Sequence, residues 1–266
     1  AGVFARGSGQ YAEAVSIRGE QFSYAVDGVY AYNPQRLVAE GVGWDVVTLV
    51  LAVPALLLVL PAVWRGSLRG RLILVGLMSY FFYQYLMYAM YWSIGPLFPV
   101  FIAVYALAAV VIVRTVATID VAALPERISG RFPRKGMAVF SSAIGLLLVV
   151  MWIPLIMAGV RGDWDAASLH GMPTLVVQAM DLGMVVPIAA ATALLVWRAR
   201  PWGYLLATVL AVKGVTMAAA ICAMLVSAAV VEGSLETGPF VIFAAATLAA
   251  GWLAARMFAS IDAREV

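Results

Sequence analysis

The sequence has few residues of the kinds that form metal sites and covalent catalytic sites. Cys222 is its only cysteine and His170 its only histidine. One cysteine excludes an intrachain disulfide, and inside an apolar run it is expected to be a small buried hydrophobe. One histidine, in a connection between apolar runs, excludes bis-histidine haem and histidine metal sites. No Ser/His/Asp set and no phosphate loop is present, so we predict no catalytic residue, no metal and no cofactor, and an enzyme is not favoured.

Charged residues are also scarce. They make up 12% of the 266 residues, hydrophobic residues make up 64%, and the mean hydropathy is +0.98. A soluble domain contains roughly 45–50% apolar and about 25% charged residues. We therefore predict an integral membrane protein, with the lipid bilayer as its partner. The net charge is only +3, and the basic residues lie between apolar runs rather than in one patch. This distribution argues against nucleic-acid binding.

Seven apolar runs follow a polar segment at residues 1–43, and each is close to the roughly 20 residues that cross a bilayer. The runs cover residues 44–63, 72–92, 97–114, 137–159, 174–197, 203–228 and 239–257. The predicted fold class is all-α, a polytopic membrane helical bundle with seven transmembrane helices. Residues 44–257 form the membrane domain, and residues 258–266 a cytoplasmic tail.

Residues 1–43 are predicted to be an extracytoplasmic segment with a β-hairpin. Strands at 22–26 and 29–32 flank Asp27-Gly28, and Asp-Gly supplies the positive φ angles of a two-residue turn. Asn33-Pro34 then ends the second strand. An isolated hairpin is marginally stable in water, so we expect this one to lie on the membrane domain as a cap.

The basic residues predict the orientation, because short loops rich in arginine and lysine stay in the cytoplasm. The first, third and fifth connections carry them, whereas the opposite connections are mainly acidic. The basic residues are Arg65, Arg69, Arg71, Arg127, Arg131, Arg134, Lys135, Arg198 and Arg200. The N-terminal segment is therefore expected outside and the C-terminus in the cytoplasm.

A short pattern near the third and seventh runs occurs twice. Both runs begin after Gly-Pro, at 95–96 and 238–239, and end with an arginine that Ile-Asp follows, as in Arg114 to Asp120 and Arg256 to Asp262. Further matches are Pro54 with Pro187, Trp64-Arg65 with Trp197-Arg198, and Val75-Gly76 with Lys213-Gly214. Chance similarity between membrane helices is the alternative interpretation.

These matches predict a 3+1+3 layout of parallel repeats. Repeat one covers 44–120, a linker helix covers 137–159, and repeat two covers 174–262. A 4+4 layout, with a further N-terminal helix missing from this chain, is an alternative.

Asp181 and Lys213 are the ionisable residues deepest in the apolar runs. A charge at the centre of a membrane helix costs roughly 2.5–3.5 kcal/mol, so it normally faces the bundle interior and finds a partner. One interpretation is a polar site or proton-coupled switch. The other is a structural ion pair that fixes helix packing.

The second apolar run contributes further candidates. Tyr80, Gln84 and Tyr88 share one helix face and lie deeper than an interfacial aromatic belt requires. They predict an aromatic ligand pocket, with ordinary packing as the alternative. Gln178 and Asp45, near the same end of their helices, complete the predicted ligand-binding set.

Several motifs resemble those of a family of uncharacterised bacterial multi-pass membrane proteins with seven or eight helices. They are Gly66-Ser67-Leu68-Arg69-Gly70-Arg71-Leu72, Tyr83-x-Tyr85, Pro96-Leu97-Phe98 and Asp181-Leu182-Gly183. The resemblance covers most of residues 44–228 and implies a location in the bacterial cytoplasmic membrane. It implies no activity. The 3+1+3 layout is also similar to that of SWEET sugar transporters, although the prolines do not follow that family's pattern.

The functional hypothesis is a membrane protein that binds a small solute between two helical repeats, with transport of that solute as a further hypothesis. Two alternatives come from other classes. One is a non-catalytic subunit of a larger complex with membrane-protein partners, and the other is a receptor-like sensor.

Overall fold

A computed structural model describes residues 2–5 and 7–261 of the chain. Within that part, seven helices are long and apolar enough to cross a membrane. They are α1 (Gln35–Trp64), α2 (Leu68–Tyr91), α3 (Phe98–Ala117), α4 (Arg134–Val160), α6 (Val176–Trp197), α7 (Pro201–Glu232) and α8 (Thr237–Ser260). A short helix, α5 (Trp164–Ala167), lies between α4 and α6. The predicted all-α membrane bundle is confirmed, and the length and composition of its helices define a multi-pass membrane protein.

The largest difference from the predicted bounds is at the first helix, which begins at Gln35 rather than near Trp44. Pro34 comes directly before it, where a missing N–H costs little because the first helical amides have no partner in the helix. The first turns carry Arg36 and Glu40, and the Arg36 guanidinium donates to the Glu40 carboxylate at 2.9 Å. The hydropathy pattern did not reveal that these turns belong to the helix, because they are polar.

The N-terminal hairpin exists, but its predicted strand pairing is wrong. Strand β1 (Tyr11–Val15) pairs antiparallel with β2 (Gln21–Ala25), and residues 29–32 form a turn. Tyr30 explains the difference, because its side chain enters the bundle and its hydroxyl donates to Asp45 at 2.6 Å. Burying this ring fixes the course of the chain after Asp27-Gly28.

The hairpin packs on the connection between α4 and α6. The Arg18 guanidinium donates to the Pro173 carbonyl at 2.7 Å and lies 4.8 Å from the centre of the Trp164 ring. The Phe22 ring covers Gly171, where a Cβ atom would lie 2.6 Å from the ring. We call this end of the bundle the outer end and the opposite end the inner end.

Helix α7 is at the centre of the bundle and packs against α1, α2, α6 and α8. It approaches α1 closely at Gly43, where a Cβ atom would lie 2.4 Å from the carbonyl oxygen of Ala223. The inner end is closed by a separate buried cluster that includes Ile119, Met257 and Ile261. The bundle is therefore tightly packed at its inner end.

Two helices contain a widened, π-helical segment, Thr48–Ala52 in α1 and Asp181–Val185 in α6. In both cases a proline, Pro54 or Pro187, lies just after the segment. Proline has no N–H and cannot bond the carbonyl four residues earlier. That carbonyl lies inside the π segment in each helix, which accounts for the local widening.

Candidate ligand-binding site

A cavity of about 460 Å³ extends from the outer end into the centre of the bundle. Every long helix except α3 contributes to its wall, as does the connection before α6. Four polar residues of its lining, Tyr83, Trp152, Asp181 and Lys213, form a cluster inside the bundle that we call the base. Charged residues surround its outer opening, which we call the mouth.

Asp181 is the acceptor at the base. The residue is only 8% exposed, and it is the first residue of the π segment of α6. The Tyr83 hydroxyl donates to Oδ1 at 2.6 Å, and the Trp152 indole N–H donates to Oδ2 at 2.8 Å. Both carboxylate oxygens are thus engaged, and hydrogen bonds of this kind to an ionised group are the strong ones.

Lys213 lies beside this pair without bonding to it. Its Nζ is 4.3 Å from the centre of the Tyr83 ring, a distance typical of a cation–π contact. Within the described part of the chain, the ammonium makes no hydrogen bond and has no carboxylate within 4.0 Å. Tyr83 therefore connects the two charges, since its hydroxyl bonds Asp181 and its ring face contacts Lys213.

The mouth is organised by Arg36. Its guanidinium donates to Glu40 at 2.9 Å, to Glu232 at 2.9 Å and to Glu236 at 2.5 Å. The contacts with Glu232 and Glu236 join the start of α1 to the end of α7 and to the connection that follows it. The His170 ring also lines the mouth. Although the ring reaches water, its partial burial and the nearby Arg36 lower its pKa, which keeps it neutral at physiological pH.

The structure brings three of the predicted site residues together, since Asp181, Lys213 and Gln178 all line the cavity. Tyr80 and Tyr88 lie outside that lining and are packed in the bundle. The Tyr80 hydroxyl shares a 2.7 Å hydrogen bond with Thr48, and the Tyr88 hydroxyl donates to the Gly41 carbonyl at 3.5 Å. These tyrosines serve helix packing in this structure.

The remaining predicted residues, Asp45 and Gln84, are also outside the cavity lining. Asp45 accepts hydrogen bonds from the Tyr30 hydroxyl at 2.6 Å and the Gly2 amide at 2.5 Å, so it holds the N-terminal segment. Burial and the Asp45 carboxylate raise the pKa of Tyr30. The Gln84 amide is buried and has no hydrogen-bond partner among residues 2–5 and 7–261.

Tyr83 and Trp152 belong to the base but were not among the predicted site residues. Tyr83 was hidden in a run of aromatic residues that interfacial anchoring explains equally well. Trp152 carried a usable signal, because an indole N–H in the middle of an apolar run needs a hydrogen-bond partner. Asp181 is that partner, from a helix that no sequence spacing connects to α4.

Comparisons with known protein families, with curated protein sequences and with solved structures found no match. The fold defines the class, a multi-pass α-helical membrane protein, and its bundle contains a cavity with polar side chains. The resemblance to a bacterial membrane-protein family stays a prediction.

Proposed function

We propose that the protein binds a small solute in the cavity, with Asp181 and Lys213 at the base of the site. The observation that carries this proposal is the Lys213 ammonium, which lines the cavity and has no ion pair among the described residues. A charge inside a membrane bundle normally has a partner or serves a pathway. The cavity volume of about 460 Å³ is also within the range of roughly 300–1,000 Å³ found for small-molecule sites.

The proposed site lies in the second copy of an internal repeat. The π segments begin at Thr48 and Asp181, which are 133 positions apart. The same separation relates Trp64 to Trp197 at the ends of α1 and α6, and relates Gly66 to Ala199, which both have positive φ angles, 81° and 53°.

The contacts of two glycines support the same spacing. A Cβ atom on Gly70 would contact the backbone of residues 62 and 63, and one on Gly203 the backbone of residues 195 and 196. Each contact pair is again 133 positions from its counterpart. The predicted match of Val75-Gly76 with Lys213-Gly214 needs a different spacing, so the proposal replaces it.

At this spacing Thr48 corresponds to Asp181, and Tyr80 corresponds to Lys213. In the first copy the two side chains share a 2.7 Å hydrogen bond. In the second copy the corresponding positions carry opposite charges that do not meet and that line a cavity. We infer that the first copy keeps a structural role and that the second copy has acquired the binding site.

We further propose that the outer end faces outward from a bacterial cytoplasmic membrane. The connections and the adjoining helix ends at the inner end carry most of the basic residues, including Arg69, Arg71 and Arg134, and such regions stay in the cytoplasm. The mouth would then receive its solute from outside the cell. Transport would require the packed inner end to open in a second state.

Thiol labelling tests whether the cavity is an open site. In a Cys222→Ser background, Met217→Cys places a thiol on the cavity wall, and Leu248→Cys places one on a side chain of α8 that is 76% exposed outside the lining. Because Leu248 is in a stretch that faces lipid in this proposal, a cationic thiol reagent should reach it poorly.

We expect the reagent, added at the outer side, to react with Met217→Cys at least about tenfold faster than with Leu248→Cys. Equal rates, or reaction of Met217→Cys only after unfolding, would show that the cavity is closed to solutes. Ile221→Cys, also on the cavity wall, replaces Met217→Cys if that variant does not fold. Uptake into proteoliposomes would then separate transport from a sensor or subunit role.

A further inference from the structure

The chemistry of the cavity wall limits the body of any ligand. Apart from the polar groups of the base and the charged residues of the mouth, the wall consists mainly of aliphatic, thioether and aromatic side chains from α4, α7 and α8. Representative residues are Ile144, Leu148, Met151, Met217 and Phe243. Such a wall binds apolar surface and offers few polar partners. The ligand body is therefore expected to be apolar.

The base limits the polar group of the ligand. Both oxygens of Asp181 already accept hydrogen bonds, from Tyr83 and Trp152. The Lys213 ammonium has three donor hydrogens, makes a cation–π contact with the Tyr83 ring, and forms no hydrogen bond within the residues described. Each Asp181 oxygen has used one of its two acceptor sites, whereas none of the three Lys213 donor hydrogens is used, so the larger unused capacity at the base is for donating and the ligand should bring an acceptor oxygen.

The charges limit the ligand further. Asp181 and Lys213 carry opposite formal charges that cancel at the base, so an ionic ligand would leave a net charge buried in the bundle, which is costly. At the mouth, Arg36 is bound by three carboxylates, which gives a formal excess of negative charge. This excess opposes the entry of anions, although Lys213 alone would attract one.

The side of the cavity between α4 and α8 suits a ligand that is dissolved in the bilayer, because these two helices make little contact with each other. Helices α4 and α8 line the cavity together, but α4 packs mainly on α6, and α8 mainly on α7. They approach each other at the inner end, where Gly136 lies against Leu253. Nearer the mouth, Leu155 and Pro239 line the cavity from these two helices.

From these observations we infer, resting on the proposed function, that the ligand is a neutral, lipid-soluble molecule with a carbonyl oxygen. Its carbonyl accepts a hydrogen bond from Lys213, and its apolar body lies along the wall formed by α4, α7 and α8. Lys213 selects the acceptor group, and the negative mouth with the charge-balanced base rejects anions.

Protection of the cavity thiol tests this inference with three probes of equal chain length. The probes are 2-undecanone, undecane and undecanoate, at matched concentrations in the lipid phase. They are added to the Met217→Cys, Cys222→Ser protein before labelling. We expect 2-undecanone to slow labelling at least about fivefold more than either of the other probes.

Two results would overturn the inference while leaving an open cavity in place. Stronger protection by undecanoate would show an anion site, and equal protection by all three would show a cavity that selects only apolar surface. A thiol that does not react even without a probe would instead contradict the proposed function itself. The two failures are therefore distinguishable.

Variants of Lys213 identify the group that selects the ketone. Lys213→Gln keeps an N–H donor without the charge and should retain protection by 2-undecanone within about twofold. Lys213→Met removes the donor, and protection should fall to the level of undecane. Lys135→Arg, at the start of α4 and away from the cavity lining, is the matched control. Unchanged ketone selectivity in Lys213→Met would contradict the assignment.

Discussion

Tyr83 shows how one residue can hold two opposite charges apart. Its hydroxyl bonds the Asp181 carboxylate, while its ring face contacts the Lys213 ammonium at 4.3 Å. A direct ion pair would satisfy both charges and leave neither for a ligand. With Tyr83 between them, the carboxylate is satisfied and the ammonium remains available in the cavity.

Replacement of Tyr83 by phenylalanine separates these two contacts. Tyr83→Phe keeps the ring under Lys213 but removes one of the two donors to the buried Asp181. A hydrogen bond to a charged group contributes about 1.5–3 kcal/mol, so we expect the free energy of unfolding in detergent to fall by about that amount. Tyr105→Phe is the control, because its ring contacts Phe82 and its hydroxyl has no hydrogen bond in the described structure. Equal stability of the two variants would contradict the role of the hydroxyl.

Tyr30 predicts a loss of stability at alkaline pH. Burial and Asp45 raise its pKa above the usual value near 10, so the folded protein keeps a proton that the unfolded chain loses. The contribution of Tyr30 to the free energy of unfolding is therefore fully present below pH 10 and declines as the pH rises above that value. Tyr30→Phe removes the titrating group and should flatten this decline. A decline of the same slope in Tyr30→Phe, measured by unfolding between pH 8 and about pH 11, would show that other groups cause it.

At the scale of the helices, the sequence was sufficient wherever apolar length decided the structure. All seven predicted runs are helices, because about 20 apolar residues leave no other way to satisfy the backbone in a bilayer. The sequence was insufficient where a tertiary contact determines the course of the chain. The polar start of α1 depends on Arg36, and the course of the chain after Asp27 depends on the contact between Tyr30 and Asp45.

The same distinction applies to the site. Asp181 and Lys213 were identifiable because ionisable residues are costly in a membrane helix. Trp152 and Tyr83 become part of the base only when α2, α4 and α6 converge, and no spacing along the chain encodes that. Tyr80 and Tyr88 are packed inside the bundle instead. The Tyr80 hydroxyl is hydrogen-bonded to Thr48, and the Tyr88 hydroxyl donates to the Gly41 carbonyl.

Helices α6 and α7 come into close contact at Gly203, next to the connection between them. A Cβ atom on Gly203 would lie 2.4 Å from the backbone of Leu195, whereas one on Gly183 would meet nothing within 4 Å. Gly203→Ala should therefore destabilise the protein by about 1–3 kcal/mol, the usual cost of overpacking. Gly183→Ala should be neutral or slightly stabilising, because alanine loses less backbone entropy than glycine. Thermal unfolding of the two variants compares them, and similar melting temperatures would show that α6 and α7 separate easily at this turn.

For the whole molecule, the orientation can be tested with two exposed serines. Ser168 lies near the mouth, and Ser129 lies in the connection between α3 and α4 at the inner end. In the Cys222→Ser background, Ser168→Cys should react with an impermeant thiol reagent added to intact cells. Ser129→Cys should react only after the membrane is opened. Labelling of Ser129→Cys in intact cells would invert the proposed orientation.

Lys213 is proposed to be an available amine inside an open cavity, and this can be measured directly. The sequence contains two lysines, Lys135 and Lys213, so Lys135→Arg leaves Lys213 as the only lysine. Reductive methylation with ¹³C-formaldehyde would label its amine for NMR, and a Lys135→Arg, Lys213→Gln protein would identify the signal of the N-terminal amine. We predict a dimethyl-lysine resonance in the folded protein that shifts when 2-undecanone is added. A lysine that resists methylation until the protein unfolds would show that Lys213 is a packed structural residue, and would contradict its role in ligand binding.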